Sequence, residues 1–599
     1  MSETLVRPFA SIDWSDARTP RVAGGDVYFS AEDGLAETRA VFLAGCRLEE
    51  RFAAGGTIII GELGFGTGLN FLAAWQLFEE TAPAGARLHF ISLEGFPLSQ
   101  GDARRALSAF GELADKAGEL ADNWPSPLKG PHRRVFAQGR VMLTVFHDTV
   151  EAALGEMDFA ADAWFLDGFA PSLNGAMWSD EVFGQIARLS KPGTRLGTFT
   201  VAGAVRRGLQ DAGFSVAKVP GFGRKRERLE GVLEEAPVKH APAAPGRIAI
   251  VGGGIAAASL IHALRLRGVT PVVIAKGGWG AGASAGPAAL LTPRLEAADR
   301  PHVRATLAAF EYARTLYEGL DGFHATGVMR AEADTDARGR LARIAAMMDG
   351  AGAIEDAGGL RLERAGWVEP ARLLAALAGG VPALDEQAAH IAPLEDGSWR
   401  VADAAGRTLA EADQLLLAPG GEALPAGTKT ALPAGLLPGQ TARFAYDGPP
   451  IPLPMAWGHY LVALPDGSVL AGATHERNQR LSADEAEALI RAAVTAFSPA
   501  IGAGLGPVLE HWGATRCVLP DRLPAAGPAA RDDASAMDGL YILAGLGARG
   551  FAHAPLLAEH LVSVMCGEPC ALERSGAASL DPARFALRAL RRQAKSTQR

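Results

Sequence analysis

Two segments of the chain share one pattern: a short apolar, β-branched run, a cluster of glycines, then apolar residues at helical spacing. In the first, Thr57-Ile58-Ile59-Ile60 leads into Gly61-Glu62-Leu63-Gly64-Phe65-Gly66-Thr67-Gly68, and residues 69–80 carry Phe71, Trp75 and Phe78 at i, i+4 and i+7. In the second, Ile248-Ala249-Ile250-Val251 leads into Gly252-Gly253-Gly254 and then residues 255–266. Each run predicts a buried strand, and the helical spacing predicts a helix packed on it. Behind the first cluster, strand candidates at 88–93, 163–166 and 196–200 alternate with helical patterns, which predicts α/β units around a largely parallel sheet. The second half is less regular, with apolar runs at 414–417 and 461–464, and predicts an antiparallel layer beside a parallel sheet.

Between the two patterns lie Pro237, Pro242 and Pro245, too closely spaced for a helix interior or a central strand. They predict a linker at 236–246 joining a domain at 1–235 to one at 247–599, with the boundary near residue 240. The length of 599 residues agrees with more than one domain.

Composition narrows the class. Hydrophobic residues make up 48% and charged residues 21%, enough apolar material for several cores. The net charge of -9 gives no global positive field for a polyanion, so nucleic acid needs local patches. Lys218, Arg224, Lys225, Arg226 and Arg228 form one patch, with Glu227 as its acid. Arg584, Arg588, Arg591, Arg592, Lys595 and Arg599 form another, in which Arg584, Arg588 and Arg592 fall on one helical face. Arg133-Arg134 and Arg206-Arg207 are smaller. Four cysteines in so long a chain point to a reducing compartment, the cytoplasm; Cys566 and Cys570 have the spacing of a ligand pair, but with no second Cys/His pair at zinc spacing no metal is expected. The longest uncharged apolar stretch, residues 248–264, is short for a membrane span and is broken by glycines, so no membrane association is expected.

The first glycine loop lacks the Lys-Ser/Thr of a polyphosphate cradle, and Glu62 suits a cationic or amino-acid ligand instead. A ligand can approach the backbone at Gly64, Gly66 and Gly68. Glu94 at the next strand end can hydrogen-bond a ribose diol, and Asp148 can meet an adenine edge. These residues at successive strand ends resemble the S-adenosylmethionine site of Rossmann-like methyltransferases. Asp167, ending the strand at 163–166, stands where open α/β sheets bind ligands. It can orient an amine and accept its proton, with Phe169, Pro171, Met177 and Trp178 walling the site.

In the second half, Gly252, Gly253, Gly254 and Ala257 make a G-x-G-x-x-A dinucleotide fingerprint, although the next strand ends in Ala275-Lys276 without the usual acid. A second loop holds Gly282, Ala283 and Ser284, and a third, Gly545-Leu546-Gly547-Ala548-Arg549-Gly550, precedes a helix. Three distant glycine loops fit an embedded FAD better than an exchangeable NAD.

Taken in order, residues 26–30, 34–39, 61–71, 163–171, 221–227, 251–257, 282–284 and 545–550 resemble the family of bifunctional tRNA 5-methylaminomethyl-2-thiouridine biosynthesis proteins over nearly the whole chain. The resemblance implies a Rossmann-like methyltransferase domain followed by an FAD-binding Rossmann domain with an antiparallel substrate-binding layer, similar to D-amino-acid oxidases. It implies S-adenosyl-L-methionine and FAD as cosubstrate and cofactor, and the wobble uridine of the tRNA anticodon stem-loop as target. In such a protein the flavin half oxidises a carboxymethylaminomethyl group, and the first half methylates the resulting amine. By match to the oxidase pattern, Arg516, Asp521 and Pro524 lie in the segment approaching substrate and flavin. Arg516 and Arg549 are candidates to hold a carboxylate, and Tyr460 is a further substrate candidate. A monomer is expected. Two other readings stay open from the residues themselves: an amino-acid or sarcosine-type oxidase fused to a metabolite N-methyltransferase, and an RNA-binding scaffold with one degenerate half.

Overall fold

The computed structural model describes residues 4–15, 20–22, 27–29, 33–168, 174–223, 225–236, 245–332, 335–356, 359–430, 432–476 and 480–597. Of the expected linker, residues 237–244 lie outside the described residues. The chain divides into two compact units. One comprises Leu5–Ala243 and Cys566–Arg574; the other comprises Met1–Thr4, Ala244–Met565 and Ser575–Arg599.

The first unit is built on eight strands: β1 (Thr57–Leu63), β2 (Arg87–Glu94), β3 (Gly130–Phe136), β4 (Val141–His147), β5 (Ala161–Leu166), β6 (Ser190–Thr198), β7 (Ser215–Pro220) and β8 (Glu227–Leu233). Their order is β3-β4-β2-β1-β5-β6-β8-β7. From β4 to β6 the pairing is parallel, and the edges add antiparallel strands. β1 can be apolar almost throughout because both faces of the sheet are covered. The helix after the glycines, α1 (Leu69–Thr81), buries Phe71, Trp75 and Phe78 as the spacing predicts. Phe71 meets Phe90 edge-on at 5.4 Å, and Trp75 lies 4.8 Å from Phe136. Gly61 is required by packing, since a Cβ there would stand 2.5 Å from the Trp164 ring.

Residues 566–574, which a simple linear boundary assigns to the second half, group with this first unit. Glu568 pairs with Arg87 at 3.1 Å, and Arg133 Nη2 donates to the Pro569 carbonyl at 2.8 Å. Arg133 and Arg134 are therefore buried side chains with structural partners, not a surface patch.

In the second unit, β9 (Ile248–Val251) runs into the glycines and then α2 (Ile255–Arg265). Its sheet orders Ala383–Leu384, Val272–Ile274, β9, Gln414–Leu417, Ala536–Ala544 and Ala525–Ala530, parallel up to the last pair. A second, eight-stranded sheet runs Ala353–Asp356, Gly359–Leu362, Val328–Ala331, Met455–Ala456, Tyr460–Ala463, Val469–Gly472, Gly435–Tyr446, Leu505–Val518. It is the antiparallel layer, with one parallel pairing between Val328–Ala331 and Met455–Ala456. Arg267, just beyond α2, forms a fully buried bidentate pair with Glu559 at 2.8 and 2.9 Å. Glu559 belongs to the helix Gly550–Cys566, so the pair locks together the two helices that follow glycine loops. Among the described residues no helix is long and apolar enough to cross a membrane.

Candidate active sites

The carboxyl ends of β1, β2, β4 and β5 open on a cavity of about 1090 Å³ within the first unit. Gly64, Gly66, Glu94, Asp148 and Asp167 all line it, as does Met177. Glu94 accepts from the backbone N–H of Gly66 at 2.9 Å and of Phe96 at 2.8 Å, so it shapes the glycine loop while each oxygen keeps a lone pair for a ligand. Burial pushes its pKa up against those hydrogen bonds. Asp148 lies 3.7 Å from Arg7.

Asp167 accepts from the Gly168 N–H and from Asn70 Nδ2, both at 2.8 Å, and burial raises its pKa to about 6. Asn70 is the hinge of a network. Its Nδ2 also donates to Glu62 at 2.9 Å, and its Oδ1 accepts from Thr38 Oγ1 at 2.8 Å. Glu62 takes a second donor from Ser92 at 2.6 Å and is fully buried, with its pKa pushed well up by burial. Glu62 is therefore placed behind the cavity, where it holds Asn70.

Other residues fall elsewhere than the sequence pattern suggests. Gly68 caps α1 at φ +80, with a would-be Cβ 2.8 Å from Leu120, so its role is packing. Trp178 is buried in the same core cluster as Trp164, while its neighbour Met177 lines the cavity. Phe169 and Pro171 lie outside the described residues, as do Arg224 and Arg599. Lys225 leaves the proposed basic patch: it lines the cavity, pairs with Glu37 at 2.8 Å and sits 4.2 Å above the Phe199 ring. Lys218 and Arg228 are paired with Glu227 and Glu230, and Arg226 is exposed. The cavity also gains Tyr28 and Phe222, from the segments 26–30 and 221–227 that carry the family resemblance, and Phe199, from the strand candidate at 196–200, none of which the sequence pattern assigns to this site.

In the second unit, Gly252 (φ +130) and Gly253 fill places where a Cβ would stand 2.1 Å from the Ala418 carbonyl and 2.5 Å from the Gly278 carbonyl. Gly254 precedes α2, and Ser284 Oγ accepts from the Ile255 N–H at 3.0 Å. Ala257 is fully buried. Gly282 faces open space, and Ala283 follows it half-buried. Gly545 and Gly547 have positive φ, Gly547 N–H donates to the Cys517 carbonyl, and Gly550 comes against Ile255. The three glycine segments thus meet around the start of α2. No acid follows Ile274 directly, but Asp385, just past the strand Ala383–Leu384, comes close to this turn and accepts from the Gly277 N–H at 2.6 Å.

Several polar atoms here are buried without a partner: Arg516 Nη2, Arg549 Nε and both ring nitrogens of His553. Burial, with Arg330 and Arg294 nearby, holds the Arg549 pKa down to about 10. His553 is held down to about 3 by burial, then by Arg549 and Arg294, and is neutral. Arg516 is lowered by burial, while Tyr460 beside it supports its charge. Tyr460 is raised to about 12. Gly439 leaves room for Arg516, whose Nη2 would stand 3.0 Å from a Cβ there. Orphaned nitrogens on Arg549 and His553, at the start of the helix Gly550–Cys566, and on Arg516 fit a flavin dinucleotide and an anionic substrate. Asp521 takes no such role, because Arg584 and Arg588 both bind it, at 3.0 and 2.9 Å. Arg584 is buried, so among the described residues the tail patch reduces to Arg588, Arg591, Arg592 and Lys595.

A sheet-edge cavity lined by acids and glycines, joined to three glycine loops beside an antiparallel layer, defines a methyltransferase fused to a flavin oxidoreductase. Residues 111–234 match the S-adenosyl-L-methionine-dependent methyltransferase family, and residues 247–564 match the FAD dependent oxidoreductase family. The chain is 49% identical to the tRNA 5-methylaminomethyl-2-thiouridine biosynthesis bifunctional protein MnmC of Maricaulis maris (strain MCS10), over 97% of both chains. It is 41% identical to the protein of that name from Caulobacter sp. (strain K31), over 98% of this chain and 99% of the relative. The chain belongs to the MnmC family. Among solved structures, glycine oxidase from Geobacillus kaustophilus matches 56% of this chain and 98% of its own at 21% identity, with a TM-score of 0.48.

Proposed function

We propose that this protein completes the methylaminomethyl side chain of the tRNA wobble uridine in two steps. In the first, the second unit removes the carboxymethyl group from 5-carboxymethylaminomethyl(-2-thio)uridine. Bound FAD supplies the acceptor for a hydride from the methylene beside the amine nitrogen. The imine formed on the substrate takes up water and parts into glyoxylate and a primary amine. Arg516 holds the substrate carboxylate, and the Tyr460 hydroxyl borders it. Gly252, Gly253, Gly254, Gly282, Ser284, Gly545, Gly547 and Gly550 form the backbone cradle for the dinucleotide, with Ala257 letting α2 pack close. In the second step the amine enters the first unit's cavity. Its nitrogen attacks the methyl carbon of S-adenosylmethionine, the carbon–sulfur bond breaks, and Asp167 takes the proton released from nitrogen. Glu94 and Asp148 hold the nucleoside part of the methyl donor. Asn70, braced by Glu62, aims Asp167.

The observation that carries this reading is the opposite charge of the two sites in one chain: an arginine, Arg516, with a buried unpartnered nitrogen where a carboxylate must be held, and a carboxylate where an amine must lose a proton. The protein acts as a monomer in the cytoplasm, and all four cysteines are free. The test supplies purified protein with tRNA carrying the carboxymethylaminomethyl nucleoside and S-adenosylmethionine, and reads nucleosides by mass spectrometry. Methylaminomethyl uridine is the expected product. Peroxide from free amino acids with unmodified tRNA would overturn the reading.

A further inference from the structure

A second cavity, of about 420 Å³, lies wholly within the oxidoreductase unit. Arg300, Arg330, Arg340, Arg343 and Arg549 line it, against Glu296 and Glu332. Glu332 is taken by Arg330 at 2.7 Å and lies 3.8 Å from Arg340. Glu296 is taken by Arg294 at 2.7 Å and His302 at 3.0 Å, neither of which lines the cavity. Arg300, Arg343 and Arg549 are left with no carboxylate partner among the described residues. In a chain of net charge -9, so concentrated a positive wall is unusual and needs an anion.

That anion is not the substrate carboxylate. Arg516, with Tyr460 and Gly439 around it, is absent from the cavity wall, so the unit has two separate cationic stations. A free amino acid has one carboxylate and fills one station. A nucleotide within an RNA strand also carries a phosphodiester beside its reacting base. The volume suits it, since ligand clefts begin near ~300 Å³ and a carboxylate needs far less.

We propose that the arginine-walled cavity binds a backbone phosphodiester of the RNA strand that presents the modified uridine, with Arg549 at the inner end and Arg300, Arg340 and Arg343 at the exposed mouth. This rests on the tRNA reading above. It assigns to this cavity the choice of RNA over a free amino acid.

The test uses full-length, flavin-loaded protein and a fluorescein-labelled anticodon stem-loop RNA, with anisotropy read across a salt series. Arg340 and Arg343 stand exposed on the helix Thr335–Met347, where glutamine preserves helix propensity. The double variant Arg340→Gln, Arg343→Gln is expected to bind about tenfold more weakly, with the log–log salt slope shallower by about 0.7 for each phosphate no longer neutralised. The matching double lysine variant is expected to keep the parent slope. Parent affinity and slope in the glutamine variant overturn the proposal while leaving the tRNA reading intact. Failure of the unaltered protein to bind the RNA overturns both.

Discussion

The two active sites carry opposite charges and settle them by different means. In the first unit three carboxylates at the strand ends are met by the chain's own donors: fully buried Glu62 by Asn70 and Ser92, half-buried Glu94 by two backbone N–H groups, half-buried Asp167 by Asn70 and Gly168. In the second unit Arg516, Arg549 and His553 keep buried nitrogens without partners. The first site is assembled before any ligand arrives; the second is completed by what it binds. An unmet buried donor costs about 1–3 kcal/mol, which an incoming anion offsets. Substitutions in the two sites are therefore expected to affect stability differently even where they affect chemistry alike.

The largest effect is expected from Asp167→Asn, which keeps the shape but removes the proposed proton acceptor. Methyl transfer falls by about 10²–10⁴-fold while oxidation continues, so aminomethyl uridine accumulates in the nucleoside profile. Methyl transfer within threefold of the parent would break the assignment. In the unaltered protein the methylation rate is expected to decline as pH falls through about 6, because in the proposed role Asp167 accepts a proton only when ionised.

Next comes Arg516→Met, which removes the charge proposed to hold the substrate carboxylate. We expect about a 10²–10³-fold loss in kcat/KM for the oxidation, since truncating one partner of a buried charge pair costs about 2–5 kcal/mol. Methylation of tRNA that already carries the aminomethyl group is unaffected. The ligand-free melting temperature does not fall, because an unmet donor has been removed. A clear drop in melting temperature would show that Arg516 is satisfied within the protein and would undo the contrast between the sites.

Asn70→Ala tests the assembled site. It strips one donor from each of two carboxylates, and is expected to destabilise the first unit by about 2 kcal/mol in denaturant unfolding. The same loss moves the acidic limb of the methylation pH profile upward, because the Asn70 hydrogen bond favours ionised Asp167. An unchanged limb would place Asn70 outside the catalytic network.

How far the sequence reached follows the distances over which these contacts act. The glycine loops, the α1 stripe and the acids at successive strand ends are local patterns, and they emerge where spacing places them. Asn70 was invisible because Asp167 stands 97 positions away. Asp385 escaped for the same reason: it supplies an acid beside Gly277 across 108 positions, so no motif contains it. Charge runs misled in another way, since spacing fixes which residues share a helix face but not which way the face turns. Arg584 and Arg588 do fall together, yet both turn to Asp521, and Arg584 is buried. Lys225 likewise belongs to a basic run by sequence and to the methyltransferase cavity by structure.

The smallest effect probes how the glycine loops depend on one another. Ser284 Oγ is a side-chain acceptor supplied to the first N–H of α2 from a different loop, a role usually taken by the residue preceding a helix. Gly254 holds that preceding position and has no side chain to offer, because a Cβ there would come 3.0 Å from Ser284 Oγ itself. The hydroxyl and the missing Cβ therefore form one device that keeps the backbone open while fixing the second loop against the helix. Ser284→Ala leaves the Ile255 N–H unmet and is expected to cost about 1 kcal/mol of stability. It is also expected to weaken flavin retention severalfold in dialysis read by absorbance, with methylation of aminomethyl tRNA unchanged. Full flavin retention with the stability loss would separate the cap from the cradle, and would mean that Gly282 and Ala283 hold their place without it.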